Sequence, residues 1–132
     1  MINYDVRVLI AFGEAVKGNE KMIKYFLEDG FPELAALAHA IRGSEEAFKW
    51  LLKNGYPHLA ALDSAIDNKA TAMAWLLKND YKVMAVFAEA CNKKPQALQW
   101  LAKKRLDVFI HLAQIIHDLR ENKTFDYHKI HF

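Results

Sequence analysis

The chain has 132 residues, 53% of them hydrophobic and 26% charged, a balance that supports one globular core and excludes intrinsic disorder. Its net charge of +2 is too small to indicate a polyanion partner by itself, and one cysteine, Cys91, excludes an internal disulfide and points to a reducing, cytoplasmic setting. No signal peptide opens the sequence, and no apolar run approaches the roughly 18 residues that cross a membrane.

In chain order, the sequence divides at a fixed interval. Five ungapped units of 25 residues run 6–30, 31–55, 56–80, 81–105 and 106–130, the last passing into a tail or cap over 120–132. Leu9, Leu34, Leu59, Met84 and Phe109 form one apolar column. Phe12, Leu37, Leu62, Phe87 and Leu112 form a second, and Val16, Ile41, Ile66, Cys91 and Ile116 a third. Tyr25, Trp50, Trp75, Trp100 and Phe125 keep an aromatic column in the same register. Such a period is the signature of a tandem repeat.

Each unit predicts two helices. Leu34, Leu37, Ala38 and Ile41 share one helical face, and Pro32 and Pro57 fit the first turn, where a missing N–H costs nothing. Short polar breaks follow, with Asn19 and Ser44 placed to cap a second helix and Pro95 to open one. That helix carries Phe48, Trp50, Leu51 and Leu52 and stops at Asn54-Gly55. Linkers this short make each unit an αα-hairpin too small to bury its face alone, so the units must stack. The expected fold is all-α: a right-handed α-solenoid, or αα-superhelix, of about five helix-turn-helix repeats forming a single domain. Arg7, Glu14, Lys17 and Lys21 are expected to cover the open end of the first unit.

Pro32-Glu-Leu-Ala-Ala followed by Leu51-Leu-Lys-Asn-Gly55 resembles the ankyrin repeat, whose first helix opens Pro-Leu-His-x-Ala and whose second ends Leu-Leu-x-x-Gly. The resemblance covers units two and three well, unit four in part, and units one and five by register alone. An ankyrin unit is about 33 residues, whereas Gly55 here runs straight into Tyr56-Pro57. The resemblance therefore implies the two-helix stack without the projecting β-turn finger. Armadillo, HEAT and TPR-like repeats remain alternatives.

Several features invite a functional reading. The tryptophans, each on the most apolar face of its helix, are expected to be core. Opposite the core stripe of the first helix, His39, Arg42, Ser64, Asp67, Glu89 and Asn92 vary in chemistry while the hydrophobic columns hold. They are expected to form a binding surface for a protein or peptide, with the small Ala35, Ala60 and Ala85 allowing close approach. An alternative partner is nucleic acid or another polyanion along a basic stripe of Lys53, Lys78, Lys103, Lys104 and Arg105, because stacked helices would space these charges regularly. A third reading is self-assembly through the solenoid ends or the aromatic tail. His128 and His131 have chelate spacing, but no cysteine or carboxylate cluster completes a site, so no metal or cofactor is expected. No motif of a nucleophile, acid and base is present, which argues against an enzyme. Asp63 stands out in an otherwise small-residue column of Gly13, Ala38, Ala88 and Ala113.

Overall fold

The computed structural model describes residues 3–130, with side chains through residue 122. Among the described residues it is wholly helical: α1 (Val6–Val16), α2 (Glu20–Glu28), α3 (Pro32–Ile41), α4 (Glu45–Lys53), α5 (Pro57–Ile66), α6 (Ala70–Lys78), α7 (Lys82–Cys91), α8 (Pro95–Lys103) and α9 (Asp107–Ile130). No helix among them is long and apolar enough to cross a membrane.

Local signals in the sequence set these boundaries. Asn19 accepts a hydrogen bond from Lys21 N at 3.0 Å and Ser44 from Ala47 N at 3.1 Å, capping α2 and α4. Pro32, Pro57 and Pro95 each occupy a first helical turn. The outer helices end alike: Phe31 N donates to Phe26 O, Tyr56 N to Leu51 O, Tyr81 N to Leu76 O and Leu106 N to Leu101 O, all at 2.8–2.9 Å. This six-to-one closure needs a left-handed residue just before the donor. Gly30 and Gly55 supply it at φ 88° and 87°, and Asp80 and Arg105 adopt it without glycine at φ 66° and 57°.

The odd-numbered helices are an inner layer and the even-numbered ones an outer layer, a packing compatible with a helical repeat. Each inner helix packs on the next, and α9 packs back on α1, so the inner layer is a closed cycle rather than an open-ended stack. Gly13 sits at that seam. A Cβ there would stand 3.0 Å from both Ile115 Cδ1 and Leu112 Cδ2, so α1 and α9 approach closely enough that a side chain at this position would push those two aside. The first unit's apolar side is thus covered by α9, not by the surface charges the sequence suggested. All three apolar columns are buried in this layer.

Two further expectations fail. The fifth unit forms no hairpin, because α9 continues straight through Arg120-Glu-Asn-Lys-Thr to Ile130. That polar stretch has good helix formers and no glycine, so nothing breaks the helix there. Phe125, His128 and His131 lie outside the described side chains. The tryptophan column is also not core. The buried column is its neighbour, Phe26, Leu51, Leu76 and Leu101, while Trp50 and Trp100 are half-buried and Trp75 is exposed. Trp50 stacks on Tyr56 (centroids 5.9 Å, interplanar 10°) and Trp75 on Tyr81 (5.9 Å, 7°). Trp50 and Trp75 thus clamp the aromatics that open the next inner helices, binding unit to unit without entering the core.

Candidate functional site

Closure of the inner layer decides which surface stays open. Bending five inner helices into a cycle spreads the outer ones: each outer helix packs on the inner helices before and after it, while contact between outer neighbours is at most slight. Grooves open between them. One of about 460 Å³ lies between α2 and α4 over α3, floored by Ala35 and Ala36 and walled by Leu27 and Trp50, with His39 and Glu46 along it. A second of about 300 Å³ lies between α4 and α6 over α5, floored by Ala60 and Ala61 and walled by Leu52 and Trp75, with Ser64, Lys69 and Thr71 along it. The walls are unusually apolar for open surface. Leu27, Leu52 and Leu77 are 60%, 51% and 53% exposed, and Trp75 36%. Isolated exposed leucines mean little; three in one column, each on a separate outer helix, form an organised apolar surface.

The six residues proposed from sequence divide into two sets. His39 and Ser64 line these grooves, and Glu89, exposed on α7, holds the same repeat position. Ala35 and Ala60 floor the grooves but are only 2% and 1% exposed. Together with buried Ala85, their small size mainly lets helices approach one another.

Arg42, Asp67 and Asn92 do something else. Arg42 Nη1 donates to Val16 O at 2.7 Å, and Asn92 Nδ2 donates to Ile66 O at 3.0 Å. In the next unit His117 Nδ1 lies 3.2 Å from Cys91 O. The column is a series of struts from one inner helix to a carbonyl at the end of the preceding one, where carbonyls lack helical partners. Asp67 cannot donate, and at this unit a guanidinium from α9 reaches into the column. Arg120 donates to Ile66 O and to Asn92 Oδ1, and its Nη2 lies 3.3 Å from Asp67 Oδ1. These residues hold the cycle together. The sequence signal was present, since four of the five column members (Lys17, Arg42, Asn92 and His117) carry donors, but variation between units looked like tuning for a ligand.

The basic residues Lys53, Lys78, Lys103, Lys104 and Arg105 are all exposed. The spacing expected of them required packed outer helices, and these are splayed. Lys104 is instead engaged locally, with Nζ 5.6 Å from the Trp100 ring centroid, and Lys82 lies 5.7 Å from the same ring.

Sequence reasoning missed Glu33 altogether. It is the buried charged residue among those described, 8% exposed, and accepts a hydrogen bond from Tyr4 Oη at 2.6 Å. Burial, reinforced by that bond, pushes the Tyr4 hydroxyl well above its ordinary range. The next residue in the column, His58, stacks on Tyr81 at 5.2 Å and 8°, and burial lowers its pKa. A cleft of about 400 Å³ opens beside it over Met84, Phe87 and Phe109. The available signal was the column itself: Val8, Glu33, His58, Val83 and Val108 place two ionisable groups among valines.

At the opposite end, Cys91, His117, Arg120 and Glu121 line a cleft of about 260 Å³, and His117 Nε2 is 3.8 Å from Glu121 Oε1. A cysteine beside a carboxylate-oriented histidine suggests nucleophilic chemistry, but burial pushes the Cys91 thiol far up, away from the reactive thiolate. No cluster of His, Cys, Asp and Glu able to hold a metal is present among the described residues. Asp63 is half-buried at the rim of a polar cleft that it shares with Glu45, Asp67, Lys49 and Lys69. Against known protein families, curated proteins and solved structures, the chain shows no match.

Proposed function

We propose that this protein is a non-enzymatic interaction module, an ankyrin-like αα-repeat without fingers, that binds a protein or peptide segment in the grooves between its outer helices. One observation carries the reading: the column Leu27, Leu52 and Leu77 is more than half exposed, and its first two members face Trp50 and Trp75 across alanine floors. Covering such side chains gains about 25 cal/mol per Å² of apolar area removed from water. A helix or strand laid between two outer helices would cover both walls of a groove. The groove strip of each inner helix, with His39, Ser64 and Glu89, supplies polar contacts that differ from unit to unit. A cytoplasmic setting belongs to this reading and is supported by the lone, buried thiol of Cys91.

Photo-crosslinking tests the assignment. With a photoreactive residue at position 52 or 27, a protein partner is expected to be captured in cells. Capture from position 103 or 105 alone, or capture of nucleic acid, would transfer the function to the lysines.

A further inference from the structure

The α4/α6 groove differs in charge from its neighbour, and the difference specifies the occupant. Along the α2/α4 groove lie His39 and Glu46; along the α4/α6 groove, Lys69 is the one charged side chain among the described residues. The crests between grooves differ too. At 3.6 residues per turn, positions four apart project together, so each outer helix shows two crest residues opposite its buried leucine or phenylalanine. On α2 these are Lys24 and Glu28, which neutralise one another at 3.9 Å. On α4 they are Lys49 and Lys53, and on α6 Ala74 and Lys78, with no carboxylate at either position.

At the end of the groove where α4 and α6 begin, charge is balanced. Glu45, Asp63 and Asp67 share that region with Lys49 and Lys69, and Arg120 reaches Asp67 from α9. At the other end, Lys53 and Lys78 close the last turns of α4 and α6. The caps that follow are neutral: Asn54 and Asn79 donate to Trp50 O and Trp75 O, each at 2.8 Å. Asp80, beyond α6, lines the cleft beside His58.

We propose that the α4/α6 groove takes a protein segment whose apolar side chains seat between Leu52 and Trp75 and whose acidic flank lies over Lys53 and Lys78. The pairing fixes direction as well as affinity, because the acidic end must lie where α4 and α6 terminate. It gives the lysines a role that needs no regular stripe, since two suffice. This inference rests on the interaction reading above.

The test uses Trp75 emission in a full-length Trp50→Phe/Trp100→Phe variant, after a thermal melt shows it folded. The probes are a leucine-rich peptide with a glutamate flank, the same core with a lysine flank, and oligothymidine. The glutamate peptide is expected to bind about fivefold more tightly than the lysine peptide, the size of two exposed ion pairs. That advantage should vanish in high salt and reverse in Lys53→Glu/Lys78→Glu, whereas Leu52→Ser should weaken both peptides. Equal binding of the two peptides would overturn the charge assignment while leaving the groove intact. Indifference of both to Leu52→Ser, or no binding of either, would overturn the groove as well. Oligothymidine binding that is lost in Lys53→Glu/Lys78→Glu but kept in Leu52→Ser would make the partner a nucleic acid.

Discussion

Apart from the longer α9, the inner and outer helices come from the same repeat and are nearly equal in length, yet they obey different rules. In the inner layer the core columns are constrained: Leu34, Leu37, Leu59, Leu62 and Phe87 are buried, and at the helix ends Arg42 and Asn92 are committed to struts. In the outer layer α4 and α6 each bury one residue fully, Leu51 and Leu76, and leave Leu52 and Leu77 in water. The difference teaches that closing the cycle uses up the surface an open solenoid would present on its inner helices. What stays open is the surface between the splayed outer helices.

The sharpest way to break this comparison is to mutate adjacent leucines. Leu51→Ala should cost about 2–5 kcal/mol in urea unfolding, as a cavity in close-packed core does. Leu52→Ala should change stability by no more than about 0.5 kcal/mol. Similar costs at the two positions would erase the distinction between layers.

Closure of the inner layer is next. Gly13→Val introduces a side chain that must displace Ile115 and Leu112, and overpacking of this kind should cost about 1–3 kcal/mol. The loss should be seen as faster hydrogen exchange in α1 and α9 together. If α9 alone loosened, the seam would not be where α1 and α9 meet. Arg120→Met removes the donor to Ile66 O and Asn92 Oδ1 and should cost about 1–2 kcal/mol, read by the same unfolding experiment.

A smaller effect concerns pH. His58 has a lowered pKa in the folded protein, so the unfolded chain binds its proton more readily. Its contribution is therefore fully present above the unfolded histidine pKa, near 6.5, and is lost as pH falls through and below that value. Tyr4 acts oppositely at the alkaline end: its raised pKa means stability is present below the ordinary tyrosine value and lost as pH rises above it. Melting temperatures of wild type and His58→Gln should converge as pH is lowered from 7 to 5. Parallel curves would show that His58 titrates alike folded and unfolded.

Much of this was legible in the sequence because hydrophobic columns, capping residues and prolines act locally, and a 25-residue period repeats the message. The closed cycle was not legible. Closure depends on the angle between successive units, a small geometric quantity that no single residue encodes, and its one local trace was Gly13 where other units carry Ala38 or Ala88. The tryptophans misled for a related reason. Trp50 sits beside Leu51 in an apolar run, and periodicity alone does not say which of two adjacent columns turns inward. The outer grooves followed from closure and could not be drawn without it, although His39 and Ser64 were already on the strip that lines them.

The most direct test of the central claim compares wild type with Leu27→Ser/Leu52→Ser/Leu77→Ser for thermal stability and for binding of the partner recovered by crosslinking. The triple variant is expected to keep an almost unchanged melting temperature and to lose binding. Unchanged binding by a folded triple variant would contradict it and return the search to the lysines or to the cleft beside His58.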